Sequence, residues 1–170
     1  MLGALFARLT KDRQRGRQTF GALVAVARDP GWYVDGNVPD TLDGRFRVLA
    51  TVLALAIVRL EAGSRSAQQE SVALTECFVE AMDHEHRQLG IGDPTLGKTV
   101  RKLVGSLGRR VALWRDAVGD AHWHGAVAES LYREAAPSED ALRFSEHRLR
   151  SLWAQLQAAS DGEMAEGAFA

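Results

Sequence analysis

The sequence predicts an all-α protein: a single-domain bundle of about six to seven helices around a buried central helix at about 42–61. Three observations predict it. The run from Phe46 to Val58 is apolar almost all round, which marks a helix covered by neighbours on several sides. Elsewhere apolar residues recur three and four apart, the period of one helix face. Four prolines, an aromatic fraction of 7% and no alternating Val/Ile/Thr runs leave little to build a sheet. A length of 170 residues fits one domain with a real core.

Composition sets the remaining bounds. A hydrophobic fraction of 46% beside 25% charged residues is that of a soluble protein. The net charge of -1 argues against generic nucleic-acid binding, so no specific DNA partner is expected. Cys77 is the single cysteine, which excludes an intramolecular disulfide and fits a reducing compartment.

Residues 1–18 read as a basic amphipathic segment, with Leu2, Leu5, Phe6 and Leu9 on one face and Arg8, Lys11, Arg13, Arg15 and Arg17 following. Such a segment packs on the domain, rests on anionic lipid or serves as a transit peptide. A helical domain then spans 19–158, ahead of a flexible tail at 159–170. Phe20, Leu23, Val24 and Ala27 form its first helix, which Arg28-Asp29-Pro30-Gly31 ends. Trp32-Tyr33-Val34 reads as an extended connector into the central helix. Asp40 is expected to cap that helix, with Asp43 in its first turn. Its uncharged run between Arg47 and Arg59 is eleven residues, short of the roughly 20 that span a bilayer.

Beyond the loop at Ala62–Ser66, a helix from about Gln68 to Leu89 carries Leu74, Cys77, Phe78, Ala81 and Met82 on one face. Gly90-Ile91-Gly92-Asp93-Pro94 breaks the chain. The next helix, about Thr95 to Val118, points Leu103, Leu107, Val111 and Trp114 inward and sets Lys98, Arg101, Lys102, Arg109, Arg110 and Arg115 outside. A shorter helix repeats Trp123, Val127 and Leu131. The last helix starts at Ser138 and buries Leu142, Leu149, Leu152, Trp153 and Leu156.

Several motifs imitate catalytic sites. Gly92 to Thr99 matches the phosphate-binding pattern G-x-x-x-x-G-K-[ST], but that loop must follow a buried strand and here follows a helix. His84/His86 and His122/His124 are spaced by two, which on a helix points them to different faces. Asp40, Asp43 and Asp83 are explained by capping or solvation. Arg45 stands near Asp40 and Asp43, and Arg87 near Asp83 and Asp93. If those two turns meet, they form a charged lock or docking surface.

Three stretches carry a family resemblance: Val38-Pro39-Asp40-Thr41-Leu42-Asp43-Gly44-Arg45-Phe46; Met82-Asp83 with Arg87-Gln88-Leu89-Gly90-Ile91-Gly92-Asp93; and Gly97-Lys98, Lys102 and Gly108-Arg109. In this order and spacing the chain, from about Phe20 to Arg133, resembles the ubiquinol–cytochrome c chaperone family. The resemblance implies an all-α protein with no catalytic centre and no cofactor. Family members hold newly made cytochrome b while ubiquinol–cytochrome c reductase is assembled. The mitochondrial members work at the inner membrane, beside the ribosome and with a second assembly factor. The absence of a long leader points to a bacterial member, cytoplasmic or peripheral at the inner face of the membrane through residues 1–17.

On this reading Tyr33, Asp40, Asp43, Arg45, Asp83, Arg87, Asp93, Lys98, Lys102 and Arg109 are expected to line or brace the surface that meets the client. The alternative is a helical module that binds RNA, the ribosome or an anionic membrane through the basic helix 98–115.

Overall fold

A computed structural model describes residues 14–88, 93–119, 122–133 and 136–169, with the backbone alone at 85–88 and 93–96. The fold is all-α, and among the described residues it has eight α-helical segments and no strand. They are α1 (Arg17–Ala27), α2 (Gly31–Val34), α3 (Leu42–Glu61), α4 (Arg65–Gln88), α5 (Asp93–Ala117), α6 (Trp123–Val127), α7 (Glu139–Ala158) and α8 (Asp161–Glu166). A π-helical turn, Ala128–Tyr132, continues α6.

α3 is the axis. Every residue from Ala50 to Val58 is buried, because α1, α4, α5, α7 and the π-turn all pack around it. Its cap differs from the expected one. The hydroxyl of Thr41 accepts the Gly44 N–H at 3.1 Å from an extended backbone, φ -119° and ψ 167°. Asp40 is drawn instead into an ion pair with Arg45 at 2.6 Å. Asp43 in the first turn and Arg59 in the last both complement the helix dipole.

Trp32-Tyr33-Val34 is helical rather than extended. The Asp29 carboxylate accepts the Gly31 N–H at 2.7 Å, and Pro30 lends its fixed φ to the start of the new turn. The turn brings two aromatic donors back onto the end of α1: Trp32 Nε1–H reaches the Val26 carbonyl at 2.8 Å, and the Tyr33 hydroxyl reaches that of Ala27 at 2.9 Å. Carbonyls in the last turn of a helix lack intrahelical partners, so these bonds answer a need that an extended connector leaves open.

The C-terminal segment also differs from the expected flexible tail. Ser160 and Glu163 form a complete capping box, and Gly167, at φ 69°, closes α8 in the left-handed conformation. Met164 and Phe169 are buried, and the Thr19 hydroxyl donates to the Met164 carbonyl at 2.8 Å. Arg59 clamps the segment from α3, donating to the carbonyls of Leu156 and Ala159 at 3.0 and 2.8 Å and to Asp161 at 3.2 Å.

Hydrogen bonds from Ser64, then from Arg59, hold the Asp161 carboxyl below its usual range. A carboxylate with a lowered folded pKa contributes stability above its unfolded pKa, and that contribution disappears as pH falls through the folded value. Amide protection at Met164, corrected for intrinsic exchange, should therefore drop as the pH falls below about 4, the range of the unfolded carboxyl, while α3 stays protected. Level protection at Met164 over that range would show that the clamp does not hold α8.

The basic helix corrects a further expectation. Arg110 is turned inward, not outward. It donates to the Ser106 hydroxyl at 2.6 Å and to the Ser130 carbonyl at 2.9 Å. Arg115 does face solvent, but pairs with Glu61 at 2.6 Å.

A cation-rimmed groove as the candidate site

α1, the α2 turn, the first turns of α3, the end of α4 and the middle of α5 leave a groove of about 910 Å³ between them. Phe20, Val24, Phe46, Leu49, Met82 and Leu103 supply its apolar lining. Among the described residues three large apolar side chains are exposed, and two of them, Val34 at 74% and Leu42 at 54%, line this groove. Apolar surface left in water inside a concave site is the signature of a binding surface rather than of packing.

The rim is charged. Arg28, Arg45, Lys102, Arg109 and Arg133 stand there with Asp40 and Asp43. Both carboxylates are already engaged, Asp40 by Arg45 and Asp43 by Arg47, each at 2.6 Å. The bond from Arg45 holds the Asp40 carboxyl below its usual range. Arg45 also lies over the Tyr33 ring, 5.9 Å from its centroid, while burial pushes the Tyr33 phenol up. Arg28, Lys102, Arg109 and Arg133 make no ion pair among the described residues, so the groove presents a net positive rim.

Of the ten residues singled out in the sequence, Tyr33, Asp40, Asp43, Arg45, Lys102 and Arg109 line the groove. Lys98, which is exposed, and Asp83, which is half-buried, lie outside that lining. The side chains of Arg87 and Asp93 lie outside the described residues, and with them the question of whether the two charged turns meet. Sequence reasoning missed Arg28, Val34, Leu42 and Arg133 as lining residues. In sequence Arg28 reads only as part of a helix terminator. Arg133 carries a signal that only coordinates reveal: its backbone sits at φ 52°, ψ -82°, a sparsely populated region.

Among the described residues the imitations of catalytic sites do not assemble. α4 precedes the glycine-rich stretch of α5, and no strand is present among the described residues to shape a phosphate loop. His124 is exposed and contacts Glu146 at 3.1 Å, and His84 is exposed as well. No group of three His, Cys, Asp or Glu side chains among the described residues is placed to hold a metal. Burial pushes the half-buried Cys77 thiol up, away from the reactive thiolate.

A family model, described as Ubiquinol-cytochrome C chaperone, matches residues 34–169, which include both the groove motif and the glycine-rich look-alike. The chain belongs to the ubiquinol-cytochrome C chaperone family. Its fold is similar to that in a crystal structure of the Cbp3 homolog from Brucella abortus, with a TM-score of 0.79 and 26% identity. That likeness covers 98% of this chain and 94% of the other. A comparison with curated proteins gives no match. Membership of the family supports a chaperone role for this chain. Among the described residues no helix is long and apolar enough to cross a membrane.

Proposed function

We propose that this protein is a non-enzymatic assembly chaperone whose groove holds a segment of newly made cytochrome b for the assembly of ubiquinol–cytochrome c reductase. One observation carries the reading beyond the family match: Val34 and Leu42 remain exposed over an apolar groove built on the family's most specific sequence stretch. A membrane protein's nascent segment is apolar and needs such a surface until it is inserted. The reading puts the protein in the cytoplasm, at the inner face of the membrane where its client is inserted. The ribosome and a second assembly factor are then further partners, and residues 1–17 the candidate lipid contact.

The alternative, a nucleic-acid or membrane module along 98–115, draws less support. Arg110 is turned inward, Arg115 is paired with Glu61, and Lys102 and Arg109 face the groove. Only Lys98 and Arg101 are left as a thin outer stripe. That is a weak footprint for phosphate binding.

The test is the heme spectrum of membranes from the host with this gene deleted, complemented by wild type or by Leu42→Glu. The reading expects selective loss of the cytochrome b signal on deletion, with its transcript intact, and rescue by wild type alone. Leu42 is exposed, so its replacement leaves the fold intact and adds a charge to the apolar surface. An unchanged signal in a deletion host that makes the reductase would sink the proposal.

A further inference from the structure

One end of the groove holds a charge arrangement that client binding through apolar contact does not require. Arg110 reaches from α5 beneath the rim, with its guanidinium carbon 5.8 Å from the centroid of the Phe46 ring. Its two terminal nitrogens donate to Ser106 and to the Ser130 carbonyl, both neutral acceptors. Its Nε–H is buried and has no partner among the described residues. No carboxylate pairs with it among the described residues, and desolvation lowers its pKa to about 10, with the charges of Arg47, Arg109 and Arg133 acting in the same direction. Asp43, already held by Arg47, is the one carboxylate acting the other way.

A buried cation without a counter-ion is costly, and surrounding it with further guanidinium groups adds to the cost. The fold maintains that cost with devices of its own. The π-turn carries Ser130, whose carbonyl receives Arg110, and it ends on Arg133, which stands at positive φ on the same rim. π-turns and strained residues concentrate where a site is being shaped.

We infer that Arg109 and Arg133, with the Arg110 charge behind them, form an anion subsite on the groove rim, which takes the carboxylate of an acidic side chain on an otherwise apolar client segment. The inference rests on the proposed function and adds a selection rule to it. Apolar lining receives the body of the segment, and the cluster receives one Asp or Glu, so that a segment bearing both is held in one register. Charge complementarity argues for this occupant. Both rim carboxylates have partners, whereas Arg109 and Arg133 have none among the described residues. The apolar walls favour a peptide segment over a free inorganic anion.

The test uses the full chain and two dye-labelled peptides, each an apolar Leu/Ala helix of about 20 residues. One carries a single Glu and the other Gln in its place, and binding is read by fluorescence anisotropy at low salt. The acidic peptide should bind about tenfold more tightly, as expected for one charge-assisted contact. In R109Q/R133Q that advantage should collapse, so that the variant binds the two peptides with equal affinity. Both positions are exposed, so the double variant keeps the core intact, which helicity by circular dichroism checks. Equal affinity of wild type for the two peptides would overturn the subsite and leave the groove reading standing. An advantage that persists in R109Q/R133Q would overturn its location. Binding of neither peptide would overturn the groove reading and the subsite with it. Binding of phosphatidylglycerol vesicles that R109Q/R133Q abolishes, without discrimination between the peptides, would assign the cluster to lipid headgroups instead.

Discussion

Gly44→Ala should lower the melting temperature by about 6 °C, although alanine is the better helix former. Two effects oppose each other at this position, and magnitude decides between them. Replacing glycine within a helix gains at most about 1 kcal/mol. A Cβ on Gly44, however, would lie inside the van der Waals envelope of the Pro39 carbonyl oxygen, a backbone atom with no freedom to swing aside. Overpacking of this kind costs about 3 kcal/mol, and in a domain of this size each kcal/mol moves the midpoint by about 3 °C. The displaced segment carries Asp40, and through it the Arg45 ion pair and the Tyr33 contact, so the rim shifts with it. Gly108→Ala is the control. A Cβ there meets nothing within 4 Å, so it should leave the midpoint level or raise it. Thermal unfolding followed by circular dichroism measures both. If Gly44→Ala melts with wild type, the 38–44 turn yields freely and does not hold the rim.

Much of this architecture was legible because it depends on short-range pattern. α3 declares itself through an apolar surface that no exposed helix carries, and its observed span, Leu42–Glu61, follows the expected one. Six groove residues were found because five of them flank the start of α3 or stand close behind it on α5, where family motif and groove coincide. What escaped depends on how distant elements meet. Arg133 reaches the rim only because the π-turn redirects the chain, and nothing in its sequence neighbourhood reports that. Val34 and Leu42 look like core residues in sequence, since an apolar letter carries no sign of being left uncovered. Arg110 misleads in the opposite sense. Its position falls within the stripe of Leu107, Val111 and Trp114, but its charge made an outward reading natural. Two local signals in the sequence do point to the last helix: Ser160-x-x-Glu163 is a complete capping box, and Gly167 is the left-handed residue that closes it.

Trp114→Ala should cost about 4 kcal/mol, a fall of about 12 °C in the midpoint, and should also blunt recognition in the groove. Trp114 is fully buried and meets Trp123 edge to face, with ring centroids 5.1 Å apart. Its Nε1–H donates to the Ser130 hydroxyl at 3.0 Å, and the carbonyl of that same serine holds Arg110. Core packing and the charged end of the groove thus share one residue of the π-turn. Trp114→Phe separates the two contributions. It keeps most of the buried ring surface but leaves the Ser130 hydroxyl without this donor, a loss of about 1 kcal/mol. In the folded state below the midpoint, Trp114→Ala should lose the preference for the Glu peptide, whereas Trp114→Phe should keep it. A destabilised Trp114→Ala that still discriminates between the peptides would show that Arg110 is positioned without help from the core. The π-turn would then be a consequence of packing α6 against α7, and the placement of Arg110 would rest on Ser106 alone.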